Sequence, residues 1–264
     1  MEGDSEMNVK VKNIYDIVNE IAPFEKAEPW DNVGLLAGSM DREVTGILCA
    51  LDFTHEVLEK AEELGANLII THHPILFSAR KRLTEDDYEG RVLCEMIRKN
   101  ISLIAAHTNY DVAVGGVNDI LSEKLNLQNI RMVEGDDDGI LRIGDIAPVS
   151  LSEFSKQIEN VLKDVVRVYG NPDKIIKTVA VCGGSGGEYA SLAYRAGADA
   201  YVTGEMRYHD SLNFALEGYA SLHAGHDATE RIAIKPLKDS LQNRINELQY
   251  NLKVFLFNNM GVES

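Results

Sequence analysis

Two stretches of the chain alternate short apolar runs with apolar-periodic segments rich in Ala, Glu, Lys and Leu, and this alternation restricts the fold more than any other feature. A short run that is apolar throughout suits a strand buried on both faces, and the amphipathic segments between such runs suit the helices that cover it. In the first stretch the pattern predicts a helix over Val11–Ile21, strands at 46–51, 67–71 and 102–106, and helices at 55–64 and 88–99 between those strands. In the second it predicts strands at 178–181, 200–203, 220–223 and 254–257, separated by helices at 189–196, 211–216 and 228–248. Pro236 is expected to start, kink or interrupt the last of these helices. The fold class is therefore α/β. The acidic run Glu134-Gly135-Asp136-Asp137-Asp138-Gly139 reads as a solvated loop at a subdomain junction. The expected division is 8–127 with 220–264 as one subdomain and 128–219 as the other.

Charge and cysteine usage narrow the function classes. With 42 Asp and Glu against 26 Lys and Arg, the formal charge is −16, which opposes long-range attraction to nucleic acid or acidic membranes. No apolar run reaches the roughly 18 residues of a membrane span, and the first ten residues are polar and acidic, unlike a secretory leader. Cys49, Cys94 and Cys182 are widely separated and form no C-x-x-C pair, so they fit reduced thiols and a cytoplasmic protein rather than a thiolate metal site.

The histidines carry the functional signal. All seven lie between 55 and 226, none falls between 108 and 208, and several follow predicted strands. In open α/β sheets ligands bind beyond the carboxyl ends of strands. His72-His73-Pro74 follows the strand at 67–71. Adjacent strand residues point to opposite faces, so this pair suits two neighbouring ions better than one, or else it is an ordinary pair of strand-end histidines. His107-Thr108-Asn109-Tyr110-Asp111 follows the next strand, with Asp111 offered as a carboxylate from a loop or, alternatively, as part of an Asx turn. In Gly225-His226-Asp227-Ala228-Thr229-Glu230, His226 and Glu230 share one face if a helix begins there, whereas Asp227 and Glu230 also have the spacing of a capping box. Together these residues are a nitrogen and oxygen set suited to Zn, Mn, Fe, Co or Ni rather than Ca or Mg.

The phrases Pro29-Trp30-Asp31-Asn32-Val33-Gly34-Leu35, Ile70-Thr71-His72-His73-Pro74, His107-Thr108-Asn109-Tyr110-Asp111, Cys182-Gly183-Gly184-Ser185-Gly186 and Gly225-His226-Asp227-Ala228-Thr229-Glu230 resemble, in order, the Nif-three-like family. Some of its members are named GTP cyclohydrolase I type two. The resemblance runs from about residue 10 to the C-terminus. It implies two divalent metal ions on His72, His73, Asp111, His226 and Glu230. It also implies two related α/β subdomains with mixed sheets and the metals in the cleft between them, and a homohexamer. The stretch between Asp111 and Tyr169 leaves no room for the domain that larger relatives insert, so the chain resembles the short form.

Other residues carry weaker expectations. Arg80-Lys81-Arg82 is a basic cluster suited to phosphate oxygens or simply a solvated loop. Gly183–Gly187 reads as a tight turn allowing close backbone approach, with an anion cradle as the alternative. Asp52, Glu205 and His209 occupy strand-end or post-strand positions, where Glu205 and His209, four apart, could orient ligands or shuttle protons, with capping or surface chemistry as the equal alternative for each. Trp30 reads as a packing anchor near the entrance rather than as a stacking platform for a base. The leading functional expectation is a dinuclear-metal hydrolase acting on a small phosphorylated or nucleotide-like substrate, with His107 or His209 moving the proton. The alternative is a hexameric ring that binds nucleic acid or a protein partner, with a structural metal centre. The acidic balance disfavours it.

Overall fold

The computed structural model describes residues 8–258 and 261–263, so most of the polar N-terminal segment lies outside the described residues. In chain order the elements begin with α1 (Val11–Ile21), β1 (Gly34–Ala37), β2 (Ile47–Ala50), α2 (His55–Glu63), β3 (Leu68–Thr71), α3 (Tyr88–Arg98) and β4 (Ser102–Ala105). They continue with α4 (Thr108–Val112), α5 (Val117–Lys124), β5 (Gln128–Met132), β6 (Arg142–Ser150), α6 (Leu151–Leu162), β7 (Arg167–Tyr169) and β8 (Ile175–Cys182). The remainder is α7 (Ala190–Arg195), β9 (Ala200–Thr203), α8 (Tyr208–Leu216), β10 (Ala220–His223), α9 (His226–Glu230), α10 (Ile234–Glu247), β11 (Val254–Asn258) and β12 (Gly261–Glu263). Three helices start where a short polar side chain takes a backbone donor: Thr54 accepts from Val57, Asp87 from Gly90 and Ser150 from Glu153. Among the described residues no helix is long and apolar enough to cross a membrane.

Contacts divide the chain into two units, Met1–Tyr110 with Ile234–Ser264, and Asp111–Ala233. The first unit is built on a six-stranded sheet in the order β1-β4-β3-β2-β11-β12. Its central strands β4, β3, β2 and β11 are mutually parallel, and β1 and β12 pair antiparallel at the edges. Every residue of β2, β3 and β4 is buried, as expected for strands covered on both faces. Val57, Leu58 and Ala61 of α2 and Val92, Leu93 and Met96 of α3 pack with Leu48, Ile69 and Leu103 in one apolar cluster.

The second unit has the same plan, a mixed six-stranded sheet in the order β5-β6-β8-β9-β10-β7 with β8, β9 and β10 parallel. Strand alternation sorts its core into two layers. Val179 and Val181 of β8 and Val202 of β9 join Leu151, Phe154 and Ile158 of α6. Ala180 and Cys182 with Tyr201, the intervening residues, join Ala190 and Ala193 of α7.

The units divide at other places than the sequence suggests. The expected breaks at 127/128 and 219/220 fall instead at 110/111 and 233/234. α5 packs on β6 and β8, and β10 hydrogen-bonds to β9 and β7, so both flanking segments belong to the second unit. The acidic run is the turn between β5 and β6, inside that unit rather than at a junction. Asp136 organises it by accepting the Leu141 N–H across 2.7 Å. The helix expected at 228–248 is two helices, and Pro236 sits in the first turn of α10, where its missing N–H costs no hydrogen bond. Strands β5 and β7 are short edge strands without an apolar run, which is why periodicity does not reveal them.

Candidate metal centre

In the first unit, three neighbouring parallel strands deliver polar side chains just past their carboxyl ends. Asp52 follows β2, His72 and His73 follow β3, and His107 follows β4. His72 is fully buried and donates Nδ1–H to the Ala106 carbonyl at 2.9 Å. His73 donates Nδ1–H to Asp52 Oδ1 at 2.8 Å, and His107 donates to Asp31 Oδ1 at 2.9 Å. A proton fixed on Nδ1 leaves the ligating lone pair on Nε2, which is how metal-binding histidines are usually oriented. Ring nitrogens of His72, His73 and His107 lie within 4.8 Å of one another. His72 and His73 stand beyond the last residue of β3, with ring centroids 5.0 Å apart, so strand alternation does not send them to opposite faces.

Asp31 anchors this group. Its buried carboxylate accepts from His107, from the Thr108 N–H at 3.0 Å and from the Thr108 hydroxyl at 2.5 Å. Burial alone would raise its pKa, but the hydrogen bonds from His107 and Thr108 outweigh burial and bring it down to about 2. Asp31 lies within the phrase 29–35, far from the histidines in sequence, and no local spacing marks it as the partner of His107. Its neighbour Trp30, expected as a packing anchor, is 59% exposed.

The second unit repeats the arrangement on β8, β9 and β10, whose carboxyl ends lead to Gly184, Glu205 and His226. His226 donates Nδ1–H to Glu205 Oε1 at 2.5 Å, and its Nε2 is 3.3 Å from Glu230 Oε2 one turn later on α9. Glu230 is buried. The capping-box alternative fails here, because the cap position is Gly225 and Asp227 pairs with Arg231 at 2.5 Å. Gly184 adopts φ +59°, and a Cβ there would stand 2.2 Å from Glu230 Oε1 and 3.4 Å from His226 Nε2. The backbone thus lies directly against the two side chains.

The glycine run is a close-approach turn. Three of its amides are occupied by side chains: Gly183 N–H donates to Asn118, Gly184 N–H to Thr229 and Gly186 N–H to Thr203. Asn118 in turn donates to the Asp111 carbonyl at 3.2 Å. Asp111, expected in a loop, is nearly buried on α4, and Asn109 makes an Asx contact by accepting the His107 N–H.

Two expectations gain no such setting. His209 is exposed on α8 with its ring against Tyr208. Arg80 is committed to Asp87 at 2.5 Å and Glu89 at 2.6 Å, so the basic triplet is not one free patch.

The donor set fits divalent transition metals. The first unit presents several histidine Nε2 atoms oriented by a carboxylate or carbonyl, and the second presents that of His226 with a buried carboxylate held against a glycine that leaves it room.

Known proteins resemble this chain in sequence and in fold. Residues 9–260 match the family described as Duf34/NIF3 (NGG1p interacting factor 3). A Clostridium perfringens protein named GTP cyclohydrolase 1 type 2 homolog is 34% identical over 90% of this chain and 93% of its own. A Clostridium acetobutylicum protein of the same name is 31% identical over 96% of this chain and 97% of its own. The crystal structure of Staphylococcus aureus hypothetical protein SA1388 superposes with a TM-score of 0.88 at 31% identity, covering 94% of this chain and 96% of that one. By sequence and by fold, this chain belongs to the DUF34/NIF3 family.

Proposed function

We propose that the protein is a hydrolase dependent on two divalent metal ions held by His72, His73, Asp111, His226 and Glu230, and that it acts on a small phosphorylated or nucleotide-like substrate. The observation that carries this reading is the paired orientation of strand-end histidines by carboxylates, Asp52 on His73 and Glu205 on His226. The name carried by the clostridial relatives points to nucleotide hydrolysis as the chemical class.

A bound metal pair would supply Lewis acidity, acidifying water toward neutrality and polarising the bond to be hydrolysed. The chain's own residues do the rest. Asp52 and Glu205 hold the imidazoles in the ligating tautomer. His107 accepts the proton at Nε2 while Asp31 stabilises the imidazolium that forms. His107 is preferred to His209 because its ring is fixed by Asp31 and stands among His72 and His73. The alternative of a nucleic-acid-binding ring needs a free basic strip, and Arg80 is already spent on two carboxylates. We propose a homohexamer as the assembly, by likeness to the family, with mass measured in solution as its check.

Metal analysis of the purified protein, beside His72→Ala and Glu230→Ala, tests the centre. Two equivalents of transition metal in the parent and a clear loss in both variants are expected. Hydrolysis of a nucleotide and phosphoester panel should vanish with chelator and return with metal. A parent that takes up no metal, or turnover indifferent to chelation, overturns the reading.

A further inference from the structure

Two large aromatic side chains stand exposed beside the histidine cluster of the first unit. Trp30 is 59% and Phe77 53% exposed. Their ring centroids are 5.7 Å apart at 56°, and both present themselves edge to face with His107, Trp30 at 6.3 Å and Phe77 at 6.2 Å. The residues beside them are tied down. Asp31 is held by His107 and Thr108, and Asn32 donates its side-chain N–H to the Leu76 carbonyl at 2.6 Å. The chain that carries the two rings is thus tied down beside the histidines, while the rings keep much of their surface in water. Phe77 also forms part of a cavity of about 650 Å³, within the size range of small-molecule sites, whose lining includes the exposed Lys81 and Arg82.

We propose that Trp30 and Phe77, inclined at 56°, form an aromatic corner that takes a planar heteroaromatic ring of the substrate beside His107, stacked on one ring and edge-on to the other. Stacking needs a flat π-face on the ligand and tolerates variation in its edge groups, so the corner selects a ring class rather than one base. The cavity beside Phe77 gives room for the remainder of the molecule, with Lys81 and Arg82 complementing an anionic tail. The inference deepens the hydrolase reading and rests on it only for calling the ligand a substrate.

Trp30 is the single tryptophan of the chain, so its fluorescence reports on the corner directly. The full-length protein, both metal-loaded and metal-stripped, is titrated with guanosine, guanosine monophosphate and ribose 5-phosphate. Guanosine and its monophosphate are expected to quench Trp30 emission and to shield it from acrylamide, whereas ribose 5-phosphate does neither. Phe77→Ala should weaken ring binding about tenfold with unchanged metal content, and Phe77→Tyr should restore it. Calorimetry with Trp30→Ala should show a comparable loss. The proposal is overturned if the ring compounds leave the emission unchanged, if ribose 5-phosphate quenches equally, if Phe77→Ala binds like the parent, or if Trp30 is closed to acrylamide in the free protein. Failure of the metal reading would appear separately, as metal content insensitive to His72→Ala, because the fluorescence titration needs no turnover.

Discussion

Asp52 and His73 leave the carboxyl ends of adjacent parallel strands, and the histidine donates its Nδ1–H to the carboxylate across 2.8 Å. The same relation recurs between Glu205 and His226 at 2.5 Å, again from neighbouring strands. In each case one strand supplies the imidazole and the next supplies the group that chooses its tautomer. Replacing Asp52 with Asn or Glu205 with Gln should therefore lower metal affinity about 10–100-fold without unfolding the chain, since both carboxylates are largely exposed. Competition against a chelator, with circular dichroism as the control, measures this. Equal affinity in both variants and the parent would remove the orienting role.

Gly184 makes a sharper demand. A methyl group there would stand 2.2 Å from Glu230 Oε1, and the residue's φ of +59° is one that side chains adopt rarely. Gly184→Ala should displace Glu230 and cost metal binding at least as much as Glu230→Ala. Metal content of a soluble Gly184→Ala protein equal to that of the parent would contradict it.

Asp31→Asn should destabilise the first unit by about 2–4 kcal/mol, because a buried charged acceptor of several hydrogen bonds is replaced by a group that matches them poorly. The sign of its pH dependence follows from the depressed pKa of about 2 against an ordinary value of 3.8. The stabilisation is fully present above the ordinary value and is lost as pH falls through the folded one. Denaturant melts of parent and variant should accordingly converge toward pH 2 and separate above pH 4. A constant gap across that range would show that the charge is not responsible.

His223 provides an independent test in the second unit. It closes β10 with its Nε2 within 3.2 Å of both the Ser211 and Ser221 hydroxyls and its ring 4.9 Å from that of Tyr169. Burial, reinforced by the positive charge of Arg167, lowers its pKa from 6.5 to about 4. The unfolded chain therefore binds the proton more readily. Stability is complete above pH 6.5 and falls as pH drops toward 4, by an amount on the order of 2 kcal/mol. His223→Gln should flatten that slope, as read from denaturant midpoints at several pH values. An unchanged slope would assign the acid sensitivity to another group.

The sequence by itself determined the α/β class, because strands apolar along their whole length and helices apolar on one face announce themselves by periodicity. It also marked His72, His73, His107 and His226 as strand-end residues, and it found the face shared by His226 and Glu230, since one helical turn fixes that spacing. It could not show that β5, β6 and β7 complete the second sheet, since edge strands such as β5 carry little apolar signal. Nor could it place the breaks between the units, which depend on where α5 and β10 find their partners rather than on any local pattern. Only tertiary structure decided which nitrogen each histidine presents, that Asp31 holds His107, and that Gly184 makes room for Glu230. Those relations join side chains carried by different elements, and local residue preferences do not encode a distance between segments that meet only after the sheets have formed.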